Sequence, residues 1–243
     1  MPTNPPFRDR LASASPLVAV PLTDATPDDD LRVLAAAGLD VVEARIDLFS
    51  STEAAHVIEH VTRMAAVDGP ATIATIRAAA EGGSWAGSEE DRLALFLSVM
   101  PLVDAIDVEL AASTIRSAVI DAAHAAGRLT VVSAHDFAGT PSLADLTSIV
   151  AEARAAGADV VKIATTTHTI DDLRTLAALI LADVAEAQGS IAVVGMGTFG
   201  PASRIVLPTL GSRLTFASHG EPLVPGQLTF DETLTFLRRL SPT

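Results

Sequence analysis

The chain has 243 residues, a formal net charge of −14 and no cysteine. Hydrophobic residues make up 49% of it and charged residues 19%, which is typical of a compact globular protein and excludes a disordered one. The acidic balance disfavours nucleic acid and anionic membranes as partners, and the missing cysteines exclude a disulfide framework and a thiolate nucleophile.

The first fifteen residues differ in composition from the rest of the chain. They contain Pro2, Pro5 and Pro6 and no apolar run of signal length, so we expect a loose arm over residues 1–15. No segment approaches eighteen uninterrupted apolar residues, the length that a membrane helix needs. We therefore expect an unexported protein whose default compartment is the cytoplasm.

From residue 16 onward, short Val/Ile-rich runs alternate with Ala/Leu-rich helical patterns. Strands are predicted over 16–22, 40–47, 71–77, 104–110, 129–136, 159–165, 190–196 and 213–218. Helices are predicted over 27–38, 52–67, 88–99, 112–126, 142–156, 169–187, 201–208 and 229–239. Eight strand–helix units without a break in composition predict one (β/α)8 TIM barrel, a single catalytic domain over 16–243. A doubly wound open sheet is the alternative.

The second predicted strand carries three charged residues at alternate positions. Glu43, Arg45 and Asp47 share one face, while the apolar residues between them share the face that would meet the helices. Charges are rarely buried without partners or purpose, so these three indicate a site inside the barrel. The alternative is a structural ion pair.

Strands three and five add polar residues near their carboxyl ends, where the active site of such a barrel lies. Thr75 and Arg77 fall on one face of strand three, and the loop that follows places Glu81 over the barrel mouth. An ordinary solvent-exposed glutamate is the alternative for that loop. Ser133 and His135 share a face of strand five.

Lys162 is the only lysine among sixteen basic residues, and it lies in a predicted buried strand. Arginine stays protonated, whereas a desolvated lysine can lose its proton and attack a carbonyl group. Because adjacent parallel strands are roughly 4.8 Å apart, His135 and Lys162 can contact one small ligand. The pair suggests Schiff-base chemistry with a general acid/base. The alternative is a lysine that extends to solvent from a strand end.

The remaining motifs are less specific. The glycine-rich turn at 195–200 precedes Arg204, whose guanidinium can pair with a carboxylate, and the loop at 223–227 is placed to close over the mouth. The other histidines are interpreted as surface residues: His56, His60, His124, His168 and His219. No pattern has convincing metal-ligand spacing, so neither a metal nor a cofactor is expected.

Seven segments, in order along the chain, resemble the type I 3-dehydroquinate dehydratase family of the shikimate pathway. They are EARID at 43–47, TIR at 75–77 with EGG at 81–83, SAHDF at 133–137 with TP at 140–141, VKIA at 161–164, MG through SRI at 196–205, Phe216, and PGQ at 225–227. The resemblance runs from about residue 16 to the end of the chain and implies a cofactor-independent barrel enzyme, commonly a homodimer.

The resemblance also implies roles for individual residues. Lys162 would form an imine with the C3 ketone of 3-dehydroquinate, His135 would act as general acid/base, and Glu81 would orient His135. Arg204 would bind the substrate carboxylate. The residues that would hold the ring hydroxyls and the lid are Glu43, Arg45, Arg77 and Gln227. Phe216 completes the substrate-binding set. Two further interpretations are a class I aldolase-like enzyme for another keto acid and a non-catalytic regulator that binds pathway metabolites.

The chain departs from the family pattern in three places. Ala44 stands where the family usually has tryptophan, on the face that points away from the pocket. Leu223 stands where members often have a serine that touches substrate. The N-terminal arm is short for the hairpin that plugs the far end of the barrel, which predicts incomplete closure there.

Overall fold

The computed structural model describes residues 5–13, 15–186 and 189–240. Eight parallel strands form one sheet in the order β7-β6-β5-β4-β3-β2-β1-β8. They are β1 (Leu17–Leu22), β2 (Val41–Arg45), β3 (Ala71–Thr75), β4 (Ala105–Glu109), β5 (Leu129–Asp136), β6 (Val160–Thr166), β7 (Ser190–Met196) and β8 (Leu214–Phe216). Each lies within two residues of its prediction, because Val/Ile-rich runs bounded by turn residues are a strong strand signal.

The two edge strands come together and nearly close the sheet into a barrel. Besides the pairing of β1 with β8, the amide of Arg213 donates to the carbonyl of Ile191 at 2.8 Å, and Val193 N donates to Ser212 Oγ at 2.8 Å. The predicted (β/α)8 barrel is therefore confirmed, and the doubly wound open sheet is excluded.

Helices surround the sheet. They are α1 (Phe7–Ala12), α2 (Asp28–Ala37), α3 (Ala54–Ala65), α4 (Glu89–Val99), α5 (Arg116–Ala125), α6 (Leu143–Ala155), α7 (Ile170–Glu186), α8 (Gly200–Leu210) and α9 (Phe230–Leu240). Val57, Val61 and Met64 of α3 show the helical spacing that buries one stripe against the sheet. Helix α5 begins four residues later than predicted because residues 113–115 form turns. No helix in the described ranges has the length and apolar character needed to cross a lipid bilayer.

The N-terminal ends of the strands enclose an apolar cluster, which we call the floor. Its strand residues include Leu17, Ala19, Val41, Ala71, Ile73, Ala105, Leu129, Val131, Val160 and Leu214. Phe7 and Leu11 of α1 belong to the same cluster and are 5% and 4% exposed. The expectation of a loose arm is therefore wrong for residues 7–12: this short helix covers the floor, where incomplete closure was predicted. Residues 1–4 and 14 of the predicted arm lie outside the described residues.

Short polar side chains tie the strands in pairs at the floor. Asp40 Oδ2 accepts from Val18 N at 2.9 Å, immediately before β2. The same contact recurs before β4, β6 and β8: Asp104 accepts from Thr72 N, Asp159 from Thr130 N, and Ser212 from Val193 N. These bonds satisfy amides at the beginning of β1, β3 and β5 and within β7, where an unpaired buried N–H would be costly.

Candidate active site

All nine predicted site residues line one pocket at the carboxyl ends of the strands. The pocket encloses about 590 Å³ of space, partly open to solvent. It is lined by Glu43, Arg45, Arg77, Glu81, His135, Lys162, Arg204, Phe216 and Gln227, together with Pro21, Gly82, Phe137, Ala164, Val194, Met196, Leu223 and Val224. Residues that are up to 206 positions apart in the chain, from Pro21 to Gln227, thus face one space.

The amine of Lys162 is fixed by two carboxylates. Lys162 lies on β6 in register with Ser133 of β5, and its side chain is only 8% exposed. Its Nζ is 2.9 Å from Glu43 Oε1 and 3.0 Å from Asp107 Oδ2. The same nitrogen lies 4.1 Å from the centre of the Phe216 ring. The amine is therefore held at the base of the pocket in a defined position.

Asp107 and Glu109 of β4 extend this charged network, and the sequence reasoning missed both. Arg77 Nη2 donates to Asp107 Oδ1 at 2.8 Å and Nη1 lies 3.4 Å from Glu109 Oε1. Ser133 Oγ accepts from Arg77 at 2.7 Å and donates to Asp107 at 2.6 Å. Arg92 of α4, which is 1% exposed, donates to Glu109 at 3.2 Å. The alternation Asp107-Val108-Glu109 is the same signal that identified β2.

The network shifts the pKa values of its members. Burial raises the pKa of Asp107, but Arg77 and Lys162 outweigh it and hold that pKa far below its ordinary value. Burial lowers the pKa of Arg77, and the carboxylates of Asp107 and Glu109 more than reverse this. Both groups therefore stay charged at neutral pH, and each has the other as its partner.

Glu43 and Arg45 have different partners although they share a strand face. Thr75 Oγ1 donates to Glu43 Oε1 at 3.1 Å, the carboxylate oxygen that also accepts from Lys162. Arg45 instead makes a two-point contact with Asp47, from Nε at 3.0 Å and Nη2 at 2.9 Å. The structural ion pair considered for β2 is thus present between Arg45 and Asp47, while Glu43 faces the lysine.

The side chains of His135 and Glu81 form a pair, and this contact sets the orientation of the imidazole ring. His135 Nδ1 lies 2.8 Å from Glu81 Oε2, so Nε2 is the ring nitrogen left for a ligand. Burial, together with Arg77 and Lys162, lowers the pKa of His135 well below its ordinary value. Burial raises the pKa of Glu81 to about 7, against the opposing effect of Arg77. His135 is therefore neutral at pH 7 and able to accept a proton.

Two glycines allow Glu81 to reach the histidine. Gly82 has φ +75°, and a Cβ atom there would lie 2.3 Å from the ring of Phe137, which stacks parallel to His135 at 6.4 Å. A Cβ atom on Gly83 would lie 2.0 Å from the carbonyl oxygen of Arg77. Any larger residue at either position would displace the turn and with it the carboxylate.

Arg204 is a buried cation with carbonyl partners. Its Nη1 donates to Phe216 O at 2.8 Å and its Nε to Gly226 O at 3.2 Å. No carboxylate of the described residues lies within ion-pair distance of it, and burial lowers its pKa to about 10. A buried guanidinium without a counter-ion that lines a pocket is suited to bind an anionic ligand.

The loop after β8 covers one side of the pocket and is held internally. Gln227 Nε2 donates to Ala217 O at 3.0 Å, and Leu223 N donates to Gln227 Oε1 at 3.0 Å. Gly197 N, in the glycine-rich turn, donates to Pro225 O at 3.1 Å. That amide of the turn is therefore already bound by the loop.

Comparison with known proteins gives the same picture along the whole chain. Residues 18–242 match the family described as Type I 3-dehydroquinase. The chain belongs to the type I 3-dehydroquinase family. The 3-dehydroquinate dehydratase of Methanosarcina mazei is 36% identical over 220 residues, 88% of this chain and 90% of that protein. That of Methanosarcina barkeri is 35% identical over 215 residues, covering 86% and 88%.

Solved structures of the type I 3-dehydroquinase family have the same fold as this chain. The 3-dehydroquinate dehydratase of Geobacillus kaustophilus has a TM-score of 0.87 at 25% identity, over 93% of this chain and 91% of that one. The type I enzyme of Clostridium difficile, with covalently modified comenic acid, has a TM-score of 0.87 at 27% identity, over 94% and 93%. Membership of this family makes the protein a lyase of the shikimate pathway, as the resemblance implied.

Proposed function

We propose that this chain dehydrates 3-dehydroquinate to 3-dehydroshikimate through an imine on Lys162, with His135 as general acid/base. One observation carries the mechanism: the only lysine of the chain and a histidine of neutral character line the same pocket on adjacent strands. His135 lies two residues nearer the mouth than Ser133, the register partner of Lys162. A ring-sized ligand above the amine therefore has the imidazole at its side.

The reaction needs two losses of water and one gain. The amine of Lys162 adds to the C3 carbonyl carbon. The hydroxyl of the resulting carbinolamine receives the proton that had left the lysine ammonium group, and it departs as water to give a protonated imine. Loss of a C2 proton to His135 then places an electron pair next to that imine, which accepts it. The C1 hydroxyl leaves as water when His135 returns the proton, and hydrolysis of the imine consumes one water. The net change is the loss of one water.

The lysine must be deprotonated before it attacks. Glu43 and Asp107 both lie within hydrogen-bond distance of Nζ, so a proton can leave the amine without crossing solvent. Asp107 is a weak base because Arg77 and Lys162 hold its pKa far below its ordinary value. Glu43 therefore has two roles in this proposal, to accept a proton from the amine and to bind a ring hydroxyl.

Glu81 is proposed to act through His135. Its ionised carboxylate accepts from Nδ1–H, which fixes the tautomer with a basic Nε2 and stabilises the imidazolium that forms during proton transfer. General acid/base help of this kind contributes about 100- to 10,000-fold to a rate.

Charge and hydrogen bonding orient the substrate. Arg204 is proposed to bind the carboxylate on C1, because it lacks an acidic partner among the described residues. Arg45 and Arg77 are proposed to hold ring hydroxyls, Gln227 to secure the closing loop, and Phe216 to pack beside the imine. Leu223 offers no hydroxyl, so the contact that a serine would make is absent from this set.

Borohydride trapping tests the imine directly. The protein is incubated with 3-dehydroquinate, reduced with borohydride and analysed by intact and peptide mass. We expect one covalent adduct on the peptide that contains Lys162 and a loss of turnover. The covalently modified comenic acid in the Clostridium difficile enzyme supports covalent chemistry in this family.

Lys162→Arg is the matched control because it keeps the cation but has no attacking amine. It should give no adduct and no measurable turnover. An adduct on the N-terminal amine alone, or near-normal turnover in Lys162→Arg, would contradict the imine. Binding of intact 3-dehydroquinate without an adduct in the wild type would instead favour a metabolite-binding regulator.

Two expectations stay predictions beside this mechanism. The family resemblance predicts a homodimer, which light scattering of the purified protein would test. Composition predicts a cytoplasmic location, which fractionation of the source cells would test.

A further inference from the structure

A second group of ligand-type side chains lies outside the pocket, where β1 ends and α3 begins. Asp24 follows β1, and His56 and His60 lie on α3. One ligand atom from each of the three lies within 4.8 Å of the others. Sequence patterns predicted surface positions for both histidines and no metal site, because Asp24 is 32 residues away from His56 in the chain.

We propose that Asp24, His56 and His60 form a binding site for one divalent transition-metal ion of the zinc type. Two imidazole nitrogens and one carboxylate oxygen form the donor set that zinc, copper and nickel favour. Magnesium and calcium prefer oxygen ligands, so the site should discriminate against them. The fourth position would be left to water.

The helix places the two histidines for joint coordination. Residues four positions apart lie above one another on one helix face, and the ring centroids of His56 and His60 are 4.3 Å apart. His56 Nε2 already lies 2.8 Å from Asp24 Oδ2. In a tetrahedral zinc site with bonds of about 2.1 Å, ligand atoms are about 3.4 Å apart, so small side-chain rotations are sufficient.

The carboxylate is held by groups that do not compete for the metal. Ser50 N donates to Asp24 Oδ2 at 2.8 Å, and the Ser50 hydroxyl contacts the same oxygen. Phe49 packs edge-on against the His60 ring at 6.2 Å. Such supporting contacts orient metal ligands and strengthen binding.

Arg63 is the cation that opposes the site. Its Nη2 lies 3.3 Å from His60 Nδ1. The same guanidinium also donates to the carbonyls of Asp24 and Thr26 and to the carboxylate of Asp28. Arg63 can therefore lose its contact with His60 and keep three acceptors, which leaves His60 free to bind the ion.

Calorimetric titration of the untagged, full-length chain with Zn²⁺ tests the proposal. We expect saturable binding of one ion, no binding of Mg²⁺, and a rise in the thermal unfolding midpoint when Zn²⁺ is present. His56→Ala, His60→Ala and Asp24→Asn should each weaken binding by at least about tenfold. The unfolding midpoint of each metal-free variant reports whether it is folded.

His124→Ala is the matched control. His124 also lies on a helix and pairs with a carboxylate, Asp159, at 3.1 Å, but without a second histidine. It should bind Zn²⁺ as the wild type does. Weakening of less than about threefold in both His56→Ala and His60→Ala, or the absence of saturable binding to the wild type, would overturn the site. Loss of binding in His135→Ala, with His56→Ala unaffected, would place the ion in the pocket and also overturn it.

Discussion

The mouth and the floor of the barrel are built from the same strands but differ in chemistry. On β2 the inward residues change from Val41 to Glu43, and on β6 from Val160 to Lys162. Strand β4 changes in the same way, from Ala105 at the floor to Asp107 at the next inward position. Two residues along a strand thus separate an apolar core from a network of charges.

The difference shows how one barrel carries both stability and reactivity. Burial of apolar groups stabilises the floor, and Phe7 and Leu11 are buried against it. Charges at the mouth need polar partners: Lys162 has Glu43 and Asp107, whereas Arg204 has only backbone carbonyls. Substitutions at the two ends should therefore separate turnover from stability.

The strongest change should be a loss of turnover at the mouth. His135→Ala should lower kcat by about 100- to 10,000-fold, because the proton acceptor is lost while Lys162 remains. Steady-state kinetics measures the loss, and borohydride trapping should still detect slow imine formation. His168→Ala, an exposed histidine that contacts Ala138 O, should keep normal turnover. A near-normal kcat for His135→Ala would contradict the assignment of the chemistry to the mouth.

The next change is a loss of stability at the floor. Phe7→Ala should lower the free energy of unfolding by about 3–5 kcal/mol, because it empties a buried aromatic site under the barrel. Urea unfolding measures this, and kcat of the folded variant should be unchanged. Phe236→Ala removes the same ring from a position on α9 that is 45% exposed, and should change stability by less than about 1 kcal/mol. Equal losses in the two variants would show that α1 does not seal the floor.

A weaker effect on turnover is expected from Glu81, which acts at the mouth through His135. Its pKa of about 7 means that the carboxylate becomes protonated as pH falls through 7, so wild-type kcat should decline there. Glu81→Gln should remove this decline of kcat with falling pH. At pH 8 it should lower kcat by less than about 100-fold, the smallest loss expected when His135 itself is removed. Glu90→Gln, an exposed position, should leave the pH profile unchanged.

Stability provides a second readout for the same variant. The folded protein raises the pKa of Glu81 from 4.5 to about 7, so it binds a proton that the unfolded chain has lost in this range. The free energy of unfolding should therefore fall as pH rises from 4.5 through 7, because ionising the buried carboxyl is unfavourable. Glu81→Gln should be more stable than the wild type at pH 8 and similar to it at pH 4. The opposite order would show that burial does not control this group.

Local patterns predicted much of the fold and of the pocket. Alternation on β2 identified Glu43 and Arg45 as inward residues, and the same rule applied to β4 would have found Asp107 and Glu109. Residues 7–12 were misjudged because prolines dominate the arm, and a six-residue helix is stabilised by its contacts with the floor, which local propensity does not contain.

Amino-acid order alone establishes the eight-fold strand–helix repeat, the inward faces of the strands and the presence of a single lysine amine among them. These follow from periodicities of two and 3.6 residues, which local chemistry sets. The folded barrel is needed to show that Lys162 pairs with Glu43, 119 residues away, that Glu81 reaches His135, and that Asp24 joins two histidines of α3. Such contacts depend on how the barrel closes, and no local pattern records which distant residues closure brings together.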